Sequence, residues 1–258
     1  MLNFRTFALK ELVEGLRTKK FFALLCVFGI FAMLSPLLAR YLQEFLAFLL
    51  TETEAEMFAG IIHDPVWQDS YLQLYSNLSQ MGVVAIILLY MSAILREKQR
   101  GTSDLMFTKG LTCAQFVLAK FMVAAIGIFV VLTVTLAICF GYTIALFGEA
   151  GQIIDIILGG LFFFCFLLPI LAMTLFFSTT SKNTGISALL SFIGFIVIVA
   201  LGSLPHLGHL LPGNLLNASM QITLGLGTSE FVVSLIVSVV VTALLLVSSQ
   251  HILSRQEL

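Results

Sequence analysis

The chain is organised as long apolar runs separated by short polar segments. The hydrocarbon core of a bilayer is about 30 Å thick, and an α-helix crosses it in about 20 residues. The sequence predicts six membrane-spanning helices, at about 21–38, 72–95, 121–147, 158–177, 185–204 and 231–247. We expect the second span to belong to a longer helix that begins at Asp64 and Pro65, since Asp caps helices and Pro favours their first turn. Between the last two spans, a hairpin that dips into the membrane is one of the open possibilities.

Residues 1–20 have an amphipathic pattern instead. Leu9, Leu12, Val13 and Leu16 recur at helical spacing, and charged residues lie on the other faces. This pattern predicts a helix in the membrane interface before the first span, with an ordinary solvated helix as the alternative. The segment has no short apolar core followed by a small-residue cleavage site, so it does not resemble a secretory signal.

Composition agrees with a membrane protein. Hydrophobic residues make up 59% of the 258 residues and charged residues 10%, whereas soluble domains are about 25% charged. The mean hydropathy is +1.07. The sequence predicts an all-α, polytopic membrane protein with one transmembrane domain over 1–258. A nucleic-acid partner is not expected, because the chain has no basic run.

The charges predict the orientation of the spans. Of the 13 Lys and Arg residues, all but Arg40 fall on the side of the two termini when six spans are drawn. Cytoplasmic loops of membrane proteins carry the excess of Lys and Arg. Both termini are therefore predicted to be cytoplasmic.

Candidate chemistry is sparse. None of the four cysteines has the spacing of a zinc site. His206 and His209 could bind a metal if their segment is helical, but two histidines in a loop are more often ordinary polar residues. An intramembrane protease would need His at the depth of a span, and the four histidines lie in loops or at the last helix end. We predict no catalytic, metal or cofactor site, and no enzyme activity in this chain.

The segment between the second and third spans, 96–120, predicts a short surface helix. Gly101 is expected to terminate the charged last turns of the second helix. Thr102 can cap a short helix that follows, and Gly110 can end that helix. Thr112 can cap the helix that leads into the third span. The short helix carries an apolar triplet, and an exposed apolar patch there is most simply explained by a partner surface.

This segment resembles the ABC-2-type permease family, the membrane subunits of type V ABC transporters. Members typically read Glu-x3-Gly-Thr, then an apolar triplet, a Pro-containing turn and a Gly-Lys that opens the third span. The matching residues are Glu97, Gly101, Thr102, Leu105, Met106, Phe107 and Lys120. Gly110 stands where Pro is usual, Cys113 where Arg is common and Ala119 where Gly is common. The amphipathic segment 1–20 and the Ser-Lys-Asn turn at 181–183 also agree with the family pattern.

The resemblance implies the permease subunit of a bacterial ABC exporter in the cytoplasmic membrane, with an amphipathic or hydrophobic substrate such as a peptide, lipid or drug. The chain has no Gly-x4-Gly-Lys-Ser/Thr motif, so ATP and Mg²⁺ would be bound by a separate nucleotide-binding ATPase subunit. The residues implied to couple that ATPase to the spans are Glu97, Arg100, Gly101, Thr102, Leu105, Met106, Phe107 and Lys120.

The resemblance also implies a second permease chain, identical or paralogous. The two chains would meet on their second and fifth spans, where Ser191 and Gly194 could allow close packing. The alternative for each of these two residues is a generic packing role. The alternative function is a non-transporting membrane component, such as an immunity factor or a mechanical scaffold, that works with an ATPase.

Overall fold

The computed structural model describes residues 4–49, 64–204, 208–225, 227 and 231–256. All regular secondary structure within these residues is helical, and no β-strand is assigned among them. The helices are α1 (Phe4–Arg17), α2 (Lys20–Leu49), α3 (Trp67–Asn77), α4 (Val83–Tyr90), α5 (Leu95–Gln99), α6 (Thr102–Phe107), α7 (Cys113–Phe147), α8 (Ile153–Thr180), α9 (Thr184–Gly202), α10 (Asn214–Thr223) and α11 (Val232–Gln256).

Within the described residues, six helices are long and apolar enough to cross a membrane, which confirms the number of spans predicted from the sequence. They cover Lys20–Leu42, Trp67–Gln99, Cys113–Phe147, Ile153–Thr180, Thr184–Gly202 and Val232–Gln256. The helix of the third span begins earlier than predicted, at Cys113, and includes the last part of segment 96–120. Thr112 caps this helix as predicted: its hydroxyl accepts a hydrogen bond from the Gln115 N–H at 3.2 Å.

The second span is built from three helical pieces rather than one regular helix. It begins at Trp67, two residues later than expected, and the carboxylate that caps it is Asp69, whose Oδ2 accepts from the Val66 N–H. A π-helical turn, Leu78–Gly82, joins α3 to α4. A second irregularity, at 91–94, separates α4 from α5 near the end that leads to the surface helix α6.

The fourth span, α8, lies at the centre of the bundle. In its most apolar stretch, 67% of the residues are buried inside the protein, compared with 22% in the fifth span. Pro169 lies inside α8 and has no N–H, so it cannot bond the carbonyl of Cys165. Ser238 of the sixth span donates its hydroxyl to that carbonyl at 2.7 Å, which satisfies it from a neighbouring helix.

The segment between the fifth and sixth spans packs back into the bundle. Helix α10 buries Leu215, Ala218 and Ile222 in the same apolar core as the spans. Its Thr223 hydroxyl donates to the Tyr75 hydroxyl at 3.3 Å. A Cβ built on Gly159 of α8 would lie 2.1 Å from the Thr223 Oγ1, so only glycine allows this approach. The described part of this segment is therefore a helix that packs against α3 and against the part of α8 that contains Gly159.

Both ends of the described chain lie on one face of the bundle. Lys10 of α1 and Gln256 of α11 both contact α5, through Glu97 and Lys98 respectively. An even number of crossings requires this arrangement. Together, the helix lengths, their apolar character and the shared side of the ends describe a multi-pass membrane protein.

Candidate functional site

A partly buried group of charged side chains joins three elements at the face that carries both ends. Glu97 of α5 is 8% exposed and Lys120 of α7 is 6% exposed. The Lys120 Nζ lies 3.0 Å from the Glu97 Oε1 and 3.0 Å from the Glu11 Oε2 of α1. Lys10 Nζ lies 3.2 Å from the same Glu97 oxygen and 3.2 Å from the Glu14 carboxylate. We call Lys10, Glu11, Glu14, Glu97 and Lys120 the charged cluster.

Aromatic rings form the apolar side of the charged cluster. Phe7 of α1 is fully buried and stacks on Phe116, with ring centroids 5.4 Å apart. The Lys120 Nζ lies 5.1 Å from the Phe116 centroid, within cation–π distance. The rings keep water from Lys120, so its ammonium depends on the carboxylates and the ring face for stabilisation.

The environment of the charged cluster favours the ionised forms of Lys10 and Glu14. Burial lowers the pKa of Lys10, but Glu97, Glu11 and Glu14 together raise it above the ordinary value. Burial raises the pKa of Glu14, but Lys10, Lys120 and Lys20 together outweigh that effect, and the pKa falls below its usual value. Each shift has the sign that favours the ion pair over its neutral form.

Three carboxylates of this cluster, from Glu11, Glu14 and Glu97, have oxygens within 4.8 Å of one another. Oxygen atoms at that spacing can hold a hard cation. Here the ammonium groups of Lys10 and Lys120 lie against the same oxygens and balance their charge. The arrangement therefore fits an ion-pair network better than a metal site. Of the two histidines considered above, His206 lies outside the described residues and His209 is exposed.

The short surface helix α6 follows α5, between two glycines in left-handed conformations, Gly101 at φ +65° and Gly110 at φ +90°. Thr102 is the first residue of the helix, and its hydroxyl donates to the Glu97 carbonyl at 3.1 Å. This hydrogen bond ties the start of α6 to the end of α5. Arg100, between the two helices, is exposed.

The apolar triplet of α6 is divided between the protein interior and its surface. Phe107 packs edge-on against Phe116, with centroids 5.5 Å apart, and Met106 packs on the same apolar cluster. Leu105 is 63% exposed. From the sequence, the three side chains were expected to form one apolar patch. Only Leu105 is exposed, because successive residues of a helix do not share a face.

Contacts among the ends of spans 2, 4 and 6 were not foreseen from the sequence. The Ser178 hydroxyl of α8 accepts hydrogen bonds from the backbone N–H groups of Ile94 and Leu95, at 3.1 and 3.2 Å. These N–H groups lie at the irregularity in the second span. Lys98 donates to the Thr179 carbonyl at 2.9 Å, and the Thr179 hydroxyl bonds that of Ser249 at 2.8 Å. The only sequence signal was the run of three hydroxyl residues, 178–180, before the 181–183 turn.

The two small residues expected between chains instead pack within this chain. Ser191 is fully buried, and its hydroxyl donates to the Ser187 carbonyl of its own helix. A Cβ on Gly194 would lie 2.2 Å from the Met173 sulfur of α8. Gly194 therefore lies at the contact between α8 and α9, and Ser191 is buried within this chain.

Comparison with known proteins adds no relative. No protein-family profile matches the chain, and no curated protein matches it either. The identification that the structure supports is accordingly a coarse one: the chain is a multi-pass membrane protein, built of helices with six candidate spans.

Proposed function

We propose that this protein is the permease subunit of an ABC exporter, driven by a separate ATPase that contacts α6. The observation that carries the proposal is the charged cluster, which links the amphipathic helix α1 to both ends of the loop that resembles the ABC-2 family. Glu97 precedes α6 and Lys120 follows it, and they meet at 3.0 Å. A force applied to α6 therefore acts at once on spans 2 and 3 and on α1.

The proposed coupling begins at Leu105. Its exposed side chain offers an apolar contact for the ATPase, while Met106 and Phe107 attach α6 to the core beneath. Motion of α6 would pass through Phe107 and Phe116 to α7, and through Glu97 to the second span. The Glu97 Oε2 is buried and has no hydrogen-bond partner among the described residues, so it can accept a new one as α6 moves.

The other expected partners follow from the same proposal. The ATPase subunit binds ATP and Mg²⁺, and a second permease chain completes the transport path. The side chains of the spans are mainly apolar, and none of the described charged residues lies near the centre of a span. A substrate that crosses such a path is amphipathic or hydrophobic, because a buried charge in the membrane needs a partner in the protein.

Leu105→Asp is the direct test of the ATPase contact. We expect the full-length chain to insert and fold normally, because the side chain is 63% exposed, while the copurified ATPase is lost. Thr108→Asp is the matched control, since it adds the same charge to an exposed position one turn away without removing an apolar side chain. Met106→Asp and Phe107→Asp are less informative, because both side chains pack against the protein's own core.

The measurement is ATPase activity of the copurified complex in lipid vesicles, together with identification of the partner by mass spectrometry. A P-loop ATPase that copurifies with the wild type and the Thr108→Asp variant, but not with Leu105→Asp, supports the proposal. Retention of full ATPase activity by Leu105→Asp contradicts the contact, and the absence of any ATPase partner contradicts the function. ATPase activity that no amphipathic peptide, lipid or drug stimulates favours the non-transporting alternative.

A further inference from the structure

The amphipathic helix α1 has two chemically different faces. Phe7 and Glu11 point inward, towards the aromatic rings and the charged cluster. Leu9 and Leu16 point outward and are 62% and 60% exposed. The outward face is apolar enough to lie against lipid, and it is the face opposite the ion pairs.

Arg5 lies on this apolar face. It precedes Leu9 by four residues and Leu12 by seven, a spacing that places the three side chains on one side of a helix. Among the described residues, the ion pairs of α1 are made by Lys10, Glu11 and Glu14, and none involves Arg5. A guanidinium on a lipid-facing surface is stabilised by an anion. No carboxylate of the described residues forms an ion pair with Arg5.

An open cleft lies beside Arg5, between α1 and α7, with a volume of about 450 Å³. Its lining residues are Phe4, Arg5, Ala8, Leu9, Leu12, Val123 and Ile126. Val123 and Ile126 follow Lys120 by three and six residues, so they lie about 4.5 and 9 Å further along α7, towards the interior of the bilayer. The cleft thus offers one cation and a continuous apolar wall.

We propose that this cleft binds an anionic phospholipid, with its phosphate on Arg5 and an acyl chain along Leu9, Leu12, Val123 and Ile126. The charge distribution favours this occupant, since all Lys and Arg residues but Arg40 belong to the same side of the membrane. Anionic lipids are attracted to such a surface. A soluble phosphate compound would match Arg5 but would leave the apolar wall exposed to water.

The bound lipid would hold α1 from the side opposite Glu11. It would thereby press Glu11 towards Lys120 and keep the charged cluster assembled. This inference does not depend on the proposed transport function, because it concerns only α1, α7 and the lipid around them.

The test is native mass spectrometry of the delipidated full-length protein, mixed with equal amounts of phosphatidylglycerol and phosphatidylcholine. We expect the wild type to retain phosphatidylglycerol preferentially, and Arg5→Gln to reduce that preference about fivefold. Arg17→Gln is the matched control, because it removes the same charge from an exposed position of α1 outside the cleft. It is expected to keep the preference of the wild type.

A second variant tests the apolar wall. Ile126→Trp fills the cleft at a position that is 51% exposed, and it is expected to reduce retention of both lipids at this site without unfolding the chain. Equal retention of the two lipids by the wild type, or an unchanged preference in Arg5→Gln, overturns the proposal. So does a glycerol phosphate without acyl chains that displaces phosphatidylglycerol, because the apolar wall would then contribute nothing.

Discussion

The Nζ of Lys120 lies 3.0 Å from the Oε1 of Glu97, and both residues are buried. The two residues bracket the surface helix α6, one at the end of the second span and one near the start of the third. Their ion pair closes the loop at its base, and Glu11 of α1 joins it from a third element. Five predictions concern this cluster and the contacts between helices elsewhere in the bundle.

Glu97→Gln is expected to destabilise the protein by about 3 kcal/mol, because Lys120 loses one of two carboxylate partners in a buried position. The measurement is thermal unfolding in detergent micelles. Lys120→Gln combined with Glu97→Gln is expected to cost less than the sum of the single variants, since it removes both buried charges. Arg100→Gln, at an exposed position of the same loop, is the control and is expected to be neutral. Additive effects of Glu97→Gln and Lys120→Gln would show that the pair is not coupled.

The pH dependence of stability is expected to reflect Lys10 and Glu14. Glu14 has a lowered pKa, so its contribution is present above the ordinary value of 4.5 and is lost as the pH falls through the lowered value. Lys10 has a raised pKa, so its contribution is complete below 10.5 and is lost only as the pH rises through the raised value. Melting temperatures measured from about pH 3 to pH 8 are expected to fall at the acid end, and less steeply in Glu14→Gln. An identical acid limb in that variant would exclude Glu14 as a contributor.

Ser178→Ala removes the hydroxyl that accepts from the Ile94 and Leu95 N–H groups. Both residues are buried, so the variant is expected to cost about 1–3 kcal/mol and to increase hydrogen exchange locally, over 91–99. Thr180→Ala is the control, because its hydroxyl bonds only within its own helix, to the Phe176 carbonyl, at an exposed site. Unchanged exchange over 91–99 would mean that this serine does not stabilise the irregular part of the second span.

The hydrogen bond from Ser238 to the Cys165 carbonyl can be tested together with Pro169. Ser238→Ala is expected to cost about 1 kcal/mol in thermal unfolding, because the buried carbonyl loses its donor. In a Pro169→Ala background, the new N–H can bond the same carbonyl, so Ser238→Ala is expected to cost little. An equal cost in both backgrounds would show that Ser238 does not compensate for the proline.

Gly159→Ala is expected to displace α10. The added methyl group would meet the Thr223 hydroxyl and the Ser219 backbone carbonyl, which lie 2.1 and 2.8 Å from the Cβ position. The expected result is faster hydrogen exchange over 214–223 and a lower melting temperature. Gly141→Ala is the control, since nothing lies within 4 Å of its Cβ position, and it is expected to be neutral or slightly stabilising. Equal exchange in the two variants would contradict the close contact between α8 and α10.

Much of the fold could be predicted because spans depend on local properties. An apolar run of sufficient length forms a helix in a bilayer whatever surrounds it, so six spans were recognisable in advance. Thr112 could be recognised as a cap because its partner, Gln115, is three residues away. The π-helical turn at Leu78–Gly82 could not, because its sequence, Leu-Ser-Gln-Met-Gly, is also compatible with an ordinary α-helix.

The candidate site was predictable only in part. The resemblance selected Glu97 and Lys120, but nothing local indicates that they form an ion pair or that Glu11 joins them. Likewise, the apolar triplet was visible, but its division into an exposed Leu105 and an inward Phe107 depends on the position of Phe116.

The sequence by itself thus determined the helical class, the six spans and the separation of charges between the two sides, since length, hydropathy and charge act along the chain. Only the tertiary structure decided which side chains meet across it: Glu97 with Lys120, Ser178 with the irregular second span, and Ser238 with the carbonyl that Pro169 leaves free. These contacts join residues far apart in sequence, so they depend on how the helices pack rather than on any local pattern.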